Sequence, residues 1–402
     1  MLELKNIQNA ASRLGAAIKM SPLLYSEALS GLCGNEIYLK LENTQMTGSF
    51  KERGALNRIL ALNDNELRRG VIAASAGNHG QGVSYHATRR GIPAEIWMPR
   101  STPLIKVTAT RGYGAKVVLH GANYDEAYEG AFEQSRKRDV TFVHAFDDEE
   151  VIAGQGTIAL EMLAQNAALD VVVVPIGGGG LIAGMGCAVK TLSPNTEVIG
   201  VQTARLPSMK VALERDEPVT LPAEATFADG IAVRRAGRLT LPLVQRYVDQ
   251  IVTVEEEEIA AAILVLLEQE KLLAEGAGAV ALAALLQGRT GHRKKTVGIV
   301  VSGGNLDVNL LSRIIERGLV RDGRRLRLRI RLPDHPGALE GLTSVIAKRS
   351  ANIVETQHNR AHYGVSLNET AIDITMETRG RDHANEVLAA LTDSRYEYSV
   401  VE

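Results

Sequence analysis

The chain has almost no cysteine, no excess of charge of either sign, no long apolar run and no leader-like start. Its two cysteines, Cys33 and Cys187, lie far apart in apolar surroundings. They exclude a disulfide framework, carry no metal-ligand spacing, and read as buried thiols of a reducing compartment. A net charge of -2 offers no broad basic field for nucleic acid. An apolar helical run, Ile259 to Leu267, is far too short to span a bilayer and follows four glutamates. The opening residues, Met1-Leu2-Glu3-Leu4-Lys5, lack the charged-then-apolar pattern of a secretory signal. A cytoplasmic protein with no membrane or nucleic-acid partner is the expectation.

What the chain does contain is aliphatic core and glycine. Its 402 residues are 45% hydrophobic, which suits two or three folded domains, and 38 are glycine. Through the first three hundred residues, short β-branched runs alternate with helical patterns. Strands are expected at Val71–Ala74, Glu95–Met98, Lys116–Leu119, Val171–Pro175, Val198–Gln202 and Thr296–Val301. Helices are expected at His79–Arg90, Pro103–Gly112, Tyr124–Arg138, Val151–Ala164, Leu181–Leu192 and Glu255–Gln269. Near-continuous apolar strands separated by helices predict an α/β fold with parallel sheets covered on both faces. The character changes near residue 320. Arg321-Asp322-Gly323-Arg324-Arg325 reads as a linker, and Arg325 to Leu332 alternates strictly between arginine and an aliphatic residue, the mark of a half-buried strand. A helix (Leu339–Arg349), two strands (Ile353–Ala361, Val365–Glu377), a helix (His383–Leu391) and a last strand (Tyr398–Val401) complete a βαββαβ, ferredoxin-like pattern.

Four short motifs carry chemistry. In Gly48-Ser49-Phe50-Lys51, a lysine opens a helical run to Leu62. The positive end of the helix dipole and desolvation beside Phe50 both disfavour its charged form. A neutral amine attacks aldehydes, so Lys51 fits a Schiff-base lysine. A plain surface lysine remains the alternative for this motif alone. In Pro175-Ile176-Gly177-Gly178-Gly179-Gly180-Leu181, four glycines join a buried strand to a helix, so bare amides can converge on an anion. The spacing Gly178-x-Gly180-x-x-Ala183 also satisfies a dinucleotide fingerprint, but that requires an acid at the end of the next strand, where Gln202 stands. No Gly-Lys-Ser/Thr follows the glycines, which leaves a cofactor with a single phosphate. Paired with Lys51, this points to pyridoxal 5'-phosphate.

The third motif, Ser75-Ala76-Gly77-Asn78-His79, is a second anion-competent helix start. Its amides suit a substrate carboxylate, and Asn78 suits a phenolic ring oxygen; simple helix capping is the alternative. His79 has no partner that marks it as a base. The fourth, Ser302-Gly303-Gly304-Asn305, closes the last strand of the sheet. A serine hydroxyl donates to an unprotonated pyridine nitrogen but cannot stabilise a pyridinium. The ring is then a weaker electron sink, and loss of a β-leaving group is favoured.

Together these motifs, with Asp229-Gly230-Ile231-Ala232-Val233 and Glu275-Gly276-Ala277-Gly278-Ala279, resemble the threonine dehydratases (threonine ammonia-lyases). These are fold type II pyridoxal phosphate enzymes, similar in fold to tryptophan synthase β. The resemblance covers residues 1–318, with a smaller subdomain at roughly 41–150. It implies Lys51 as the Schiff-base lysine and the base for the α-proton, with Phe50 packed on the ring. It further implies Asn78 on the phenolic oxygen, Gly177 to Leu181 on the phosphate and Ser302 on the ring nitrogen. Ser75, Ala76, Gly77, Asn78 and His79 would line the substrate carboxylate. The implied reaction takes L-threonine to 2-oxobutanoate and ammonia, with L-serine to pyruvate as a slower one. Serine racemases are similar but carry a serine where Ala76 stands, and a carboxylate of a divalent-cation site where Gln202 stands. Racemisation should be weak, and no metal is assigned. Serine or hydroxyaspartate dehydratase activity is the near alternative; a non-catalytic amino-acid sensor is the distant one.

After a linker at 319–325, residues 326–402 resemble a single ACT domain through Asp334-His335-Pro336-Gly337-Ala338-Leu339 and Ala351-Asn352-Ile353. The resemblance implies an effector such as isoleucine or valine near Asp334, Pro336, Gly337, Asn352 and Ile353. A dimerisation surface is the alternative. A homo-oligomer, dimer or tetramer, is expected.

Overall fold

The structure is a computed structural model that describes residues 2–359 and 368–401. The chain divides into two compact units, Met1–Leu306 and Asp307–Glu402.

The first unit holds two sheets. One is four-stranded and wholly parallel, in the order Lys116–Leu119, Ala94–Met98, Val71–Ala74, Thr141–Phe142. The other is six-stranded, in the order Leu23–Ser26, Glu36–Leu41, Thr296–Val301, Val171–Pro175, Glu197–Thr203, Gln250–Val254. Its edge strand Leu23–Ser26 runs antiparallel and the rest are parallel. This is the α/β architecture of helix-flanked parallel sheets that the alternating pattern predicts, as the resemblance to fold type II enzymes also implies. All five residues of Val171–Pro175 are buried, as their unbroken apolar run requires of a central strand.

The helix Gly276–Leu286 is apolar on every side, and it is buried from Gly276 to Leu285. Such a helix is stable only inside a core. The helix Glu256–Val265 stops short of the expected Gln269, because Leu266–Glu270 winds into a π-helical turn. Four strands escaped the sequence pattern: Leu23–Ser26, Glu36–Leu41, Thr141–Phe142 and Gln250–Val254. The first and last lie at sheet edges, Thr141–Phe142 has two residues, and Glu36–Leu41 carries Lys40 and Glu36 among its apolar residues.

The second unit has one antiparallel sheet in the order Asn352–Asn359, Glu369–Glu377, Arg325–Pro333, Glu397–Val400. That is the ferredoxin-like order, second, third, first, fourth. Arg325–Pro333 alternates between buried aliphatic and exposed residues, as its sequence predicts. Arg327 and Arg325 pair with Glu316, and Arg329 pairs with Asp373, so the arginines are solvated ion pairs. The expected linker 319–325 is not a loose segment. The helix Val308–Arg321 occupies its first residues and the strand starts at Arg325, which leaves only 322–324 between them. Helical spacing of Leu311, Ile314 and Leu319 outweighs the polar composition that suggested a linker. The expected strand ends at 360–361 and 365–367 lie outside the described residues.

Candidate active site

The motifs meet at the carboxyl ends of parallel strands, where open α/β sheets hold their ligands. A pocket partly open to solvent is lined by Phe50, Lys51, Asn78, Gly177 to Leu181 and Ser302. Those are all the residues assigned to a cofactor from sequence. Of the substrate group, Asn78 lines this pocket, and Ser75, Ala76, Gly77 and His79 are not among its lining residues.

Lys51 is the first residue of the helix Lys51–Leu60, and its Nζ donates to the Ala145 carbonyl at 2.8 Å. It lies 5.3 Å from the centre of the Phe50 ring. Burial pulls its amine down to about 8, against the opposing attraction of Glu275. The turn that carries it is tied to the Ser302 loop. Phe50 N donates to Ser302 O at 3.0 Å, Gly304 N donates to Gly48 O at 2.9 Å, and Ser49 bridges Gly303. The helix is anchored from behind by Arg53, which is 1% exposed and bonds Glu42 at 2.8 Å and Glu161 at 2.6 Å.

The glycine run is an open cradle. Gly179 precedes the helix Gly180–Leu192 at φ 98°, and no side chain caps that helix. A left-handed residue there excludes a β-carbon, which would also meet Met209 and Thr240. A β-carbon on Gly178 would enter the Phe146 ring. The amides of Gly177, Gly178 and Gly179 donate to no other backbone group, and Ala183 is the first whose amide bonds back, to Gly179 O at 2.9 Å. The carbonyl of Gly178 accepts from Thr240 Oγ1 at 2.6 Å, which fixes the peptide that joins Gly178 to Gly179. Bare amides at a helix start and a deprotonation-prone lysine fit a phosphorylated aldehyde.

At the other wall, Ser302 is buried, with its Oγ 3.3 Å from the Ala277 carbonyl. Asn78 opens the helix Asn78–Thr88; its Nδ2 donates to Glu275 at 2.6 Å, and its Oδ1 accepts from Asn305 at 2.8 Å. Ser75 Oγ accepts from Gly77 N at 3.2 Å, a local turn bond. The His79 ring is buried on the Val143 carbonyl at 2.9 Å, and burial drives its pKa down to about 3. It is a neutral packing group, and only its backbone amide remains for a carboxylate. Gln202 is buried with its Oε1 accepting from Lys210 N at 3.0 Å.

Among the lining residues not assigned to the site from sequence are Phe146 and Glu275. Phe146, one of only five phenylalanines, forms the wall under Gly178. Its loop is held by His144 Nδ1, which accepts from Asp147 N at 2.8 Å. Glu275 is buried in the pocket wall; its signal was the Glu-Gly-Ala-Gly-Ala run.

Residues 15–303 match the family described as pyridoxal-phosphate dependent enzyme. The chain belongs to that family. It is 48% identical over 401 residues to the L-threonine ammonia-lyase of Thermotoga maritima, covering all of both chains. Among solved structures it is similar to the processed form of threonine deaminase isoform 2 from Solanum lycopersicum. That match has a TM-score of 0.74 and 39% identity, over 78% of this chain and 91% of that one. It is also similar to serine racemase from Dictyostelium discoideum, with a TM-score of 0.72 and 36% identity over 76% of this chain and 99% of that one.

In the second unit, Asp334, Pro336 and Gly337 line a pocket between a strand end and the helix Ala338–Lys348. Asn352 and Ile353 do not join them. Asn352 pairs with Glu377, whereas Pro333 pairs with Glu369, eight residues away along the same strand. At about 3.4 Å per residue that is ~27 Å. Asn352 bonds Glu377 Oε2 at 3.1 Å, and Ile353 packs on the core. The resemblance to an ACT domain implies one site for both segments; within one chain the sheet puts them at opposite ends. Among the described residues no helix is long and apolar enough to cross a membrane.

Proposed function

We propose that the chain is a pyridoxal phosphate-dependent threonine ammonia-lyase, taking L-threonine to 2-oxobutanoate and ammonia and L-serine more slowly to pyruvate. The carrying observation is a half-buried lysine with its amine near 8, set in one pocket with an open glycine cradle and a serine in place of an acid. When bound, the cofactor supplies an aldehyde for an amine and a ring that draws electrons from the substrate's Cα. The amides of Gly177 to Leu181 hold the phosphate, Phe50 packs the ring, Ser302 donates to the ring nitrogen and Asn78 to the phenolic oxygen. Backbone amides at Ser75 to His79 receive the substrate carboxylate. Lys51 Nζ takes the proton from Cα, the Cβ–O bond breaks and the departing hydroxide is protonated, so that the Cα proton and the hydroxyl leave as one water; the released enamine tautomerises to an imine, which a second water hydrolyses to the keto acid and ammonia. Ala76 offers no transferable proton, so elimination prevails over racemisation. Initial rates on L-threonine, L-serine and β-hydroxyaspartate test the substrate. A preference for serine would overturn the choice of threonine.

The second unit acts as an amino-acid-responsive ACT domain, with isoleucine or valine received at Asp334, Pro336 and Gly337. The helix start behind Gly337, at φ 89° and without a side-chain cap, supports a carboxylate there. Calorimetric titration of the full chain with each amino acid tests this, and the absence of heat from both would remove the effector role. The enzyme works as a cytoplasmic homo-oligomer; sedimentation of the holoenzyme at a single-chain mass would refute that.

A further inference from the structure

Glu275 is a buried carboxyl in the pocket wall, and no step above uses it. It stands at the N-cap of the helix Gly276–Leu286, where an acidic side chain ordinarily accepts from a first-turn amide. Its own side chain caps nothing. Glu255, at the same position of its helix, makes the reciprocal capping pair with Glu258. Glu275 instead turns into the pocket, and its Oε1 accepts from Asn78 Nδ2 at 2.6 Å. Room for that turn comes from two glycines. A β-carbon on Gly303 would collide with Oε1, and one on Gly230 would lie 3.2 Å from it.

The bond belongs to a directed chain. Asn305 Nδ2 donates to the Thr47 carbonyl at 2.8 Å and to Asn78 Oδ1 at 2.8 Å. A carbonyl only accepts, so Thr47 decides which end of Asn305 faces the site. Asn305 then claims the oxygen of Asn78, and Glu275 claims its nitrogen. One amide proton of Asn78 is left for a ligand. The charged groups facing Glu275 are Asp229, Lys106 and Lys51, with Asp229 itself paired to Lys106. Burial, then Asp229, pushes the Glu275 carboxyl up to about 7.

We propose that Glu275 is a positioning residue for the cofactor ring: by holding Asn78 Nδ2 it makes that amide present a donor, not an acceptor, to the ring's phenolic oxygen. This rests on the reading of Asn78 as the partner of that oxygen. The test is titration of the cofactor-free full chain with pyridoxal phosphate, reading the dissociation constant and the visible absorption maximum. Glu275→Ala removes the acceptor of Asn78 Nδ2 and leaves the Asn78 amide held through Asn305 alone, so affinity falls about tenfold or more and the band moves. Glu275→Gln keeps an accepting carbonyl oxygen and stays within about threefold of the parent in affinity, with the band in place. In an Asn78→Ala background, Glu275→Ala adds nothing further.

Unchanged affinity and band in Glu275→Ala overturns the proposal. So does failure of Glu275→Gln to rescue, or a loss that is fully additive with Asn78→Ala. Should Glu275→Ala not fold, Glu275→Leu fills the slot without accepting and is compared with Glu275→Gln in the same way. A Lys51→Ala chain that still forms the visible band would sink the cofactor reading itself, whatever Glu275 does.

Discussion

Two helices in this chain begin alike and do different things. Gly180–Leu192 and Ala338–Lys348 each follow a strand, each has a left-handed glycine at its N-cap, and neither has a side-chain cap. Both leave first-turn amides open to an anion. The difference lies in what surrounds the opening. Around Gly179 the protein is full: Met209 and Thr240 would meet any β-carbon, while Lys51 and Ser302 complete the walls. Around Gly337 no described residue lies within 4 Å of the missing β-carbon, and no lysine is among the described residues that line the pocket. A helix start is enough to receive an anion, but covalent chemistry needs an amine held partly dry beside it.

Removing that amine should break the comparison most completely. Lys51→Ala should abolish keto-acid formation and borohydride-dependent fixation of the cofactor, measured by ammonia release and by mass of the reduced chain. Undiminished output would mean that the chemistry of the first pocket does not depend on this amine. Next comes the anchor behind the amine. Arg53→Leu leaves Glu42 buried without its cation and takes from Glu161 one of its two, Lys40 remaining, and should cost about 3–5 kcal/mol of stability, read from denaturant midpoints. The exposed pair Arg329–Asp373 in the second unit should contribute no more than about 1 kcal/mol by the same measurement.

The cradle itself comes third. Gly179→Ala forces a left-handed alanine into contact with Met209 and Thr240, and should weaken cofactor binding by about 100-fold, as strain and clash together reach ~3 kcal/mol. The lysine gives a pH signature. Its lowered pKa means the neutral, attacking amine predominates above about 8. The rate of cofactor uptake should therefore rise roughly tenfold per pH unit below that value and level off above it. A rate that is flat from pH 6 to 9 would contradict the buried-amine argument. The smallest effect is expected at the second helix. Gly337→Ala carries only the left-handed strain of about 1 kcal/mol, so the melting temperature should drop by a few degrees with turnover intact.

Much of the first unit was legible because its buried strands are unbroken apolar runs flanked by glycine. Val171–Pro175 and Thr296–Val301 match their expected ends. The two-residue strand Thr141–Phe142 left no pattern to detect, and its loop carries Ala145 and Phe146 to the site. Asn352 and Ile353 were misplaced for a related reason. Loop chemistry can be read locally, but which sheet end a loop occupies depends on strand order and register.

The sequence by itself determined the chemistry on offer: one lysine at a helix start, four bare glycines after a buried strand, and a serine closing another. Those are local properties, set by residue type and spacing along a few residues. Tertiary structure alone decided that Glu275, about two hundred residues from Asn78, would face it rather than cap its own helix. It also decided that Lys51 would sit dry enough to lose its proton. Burial and long-range hydrogen bonding arise only when distant strands pack, so no stretch of chain carries them alone.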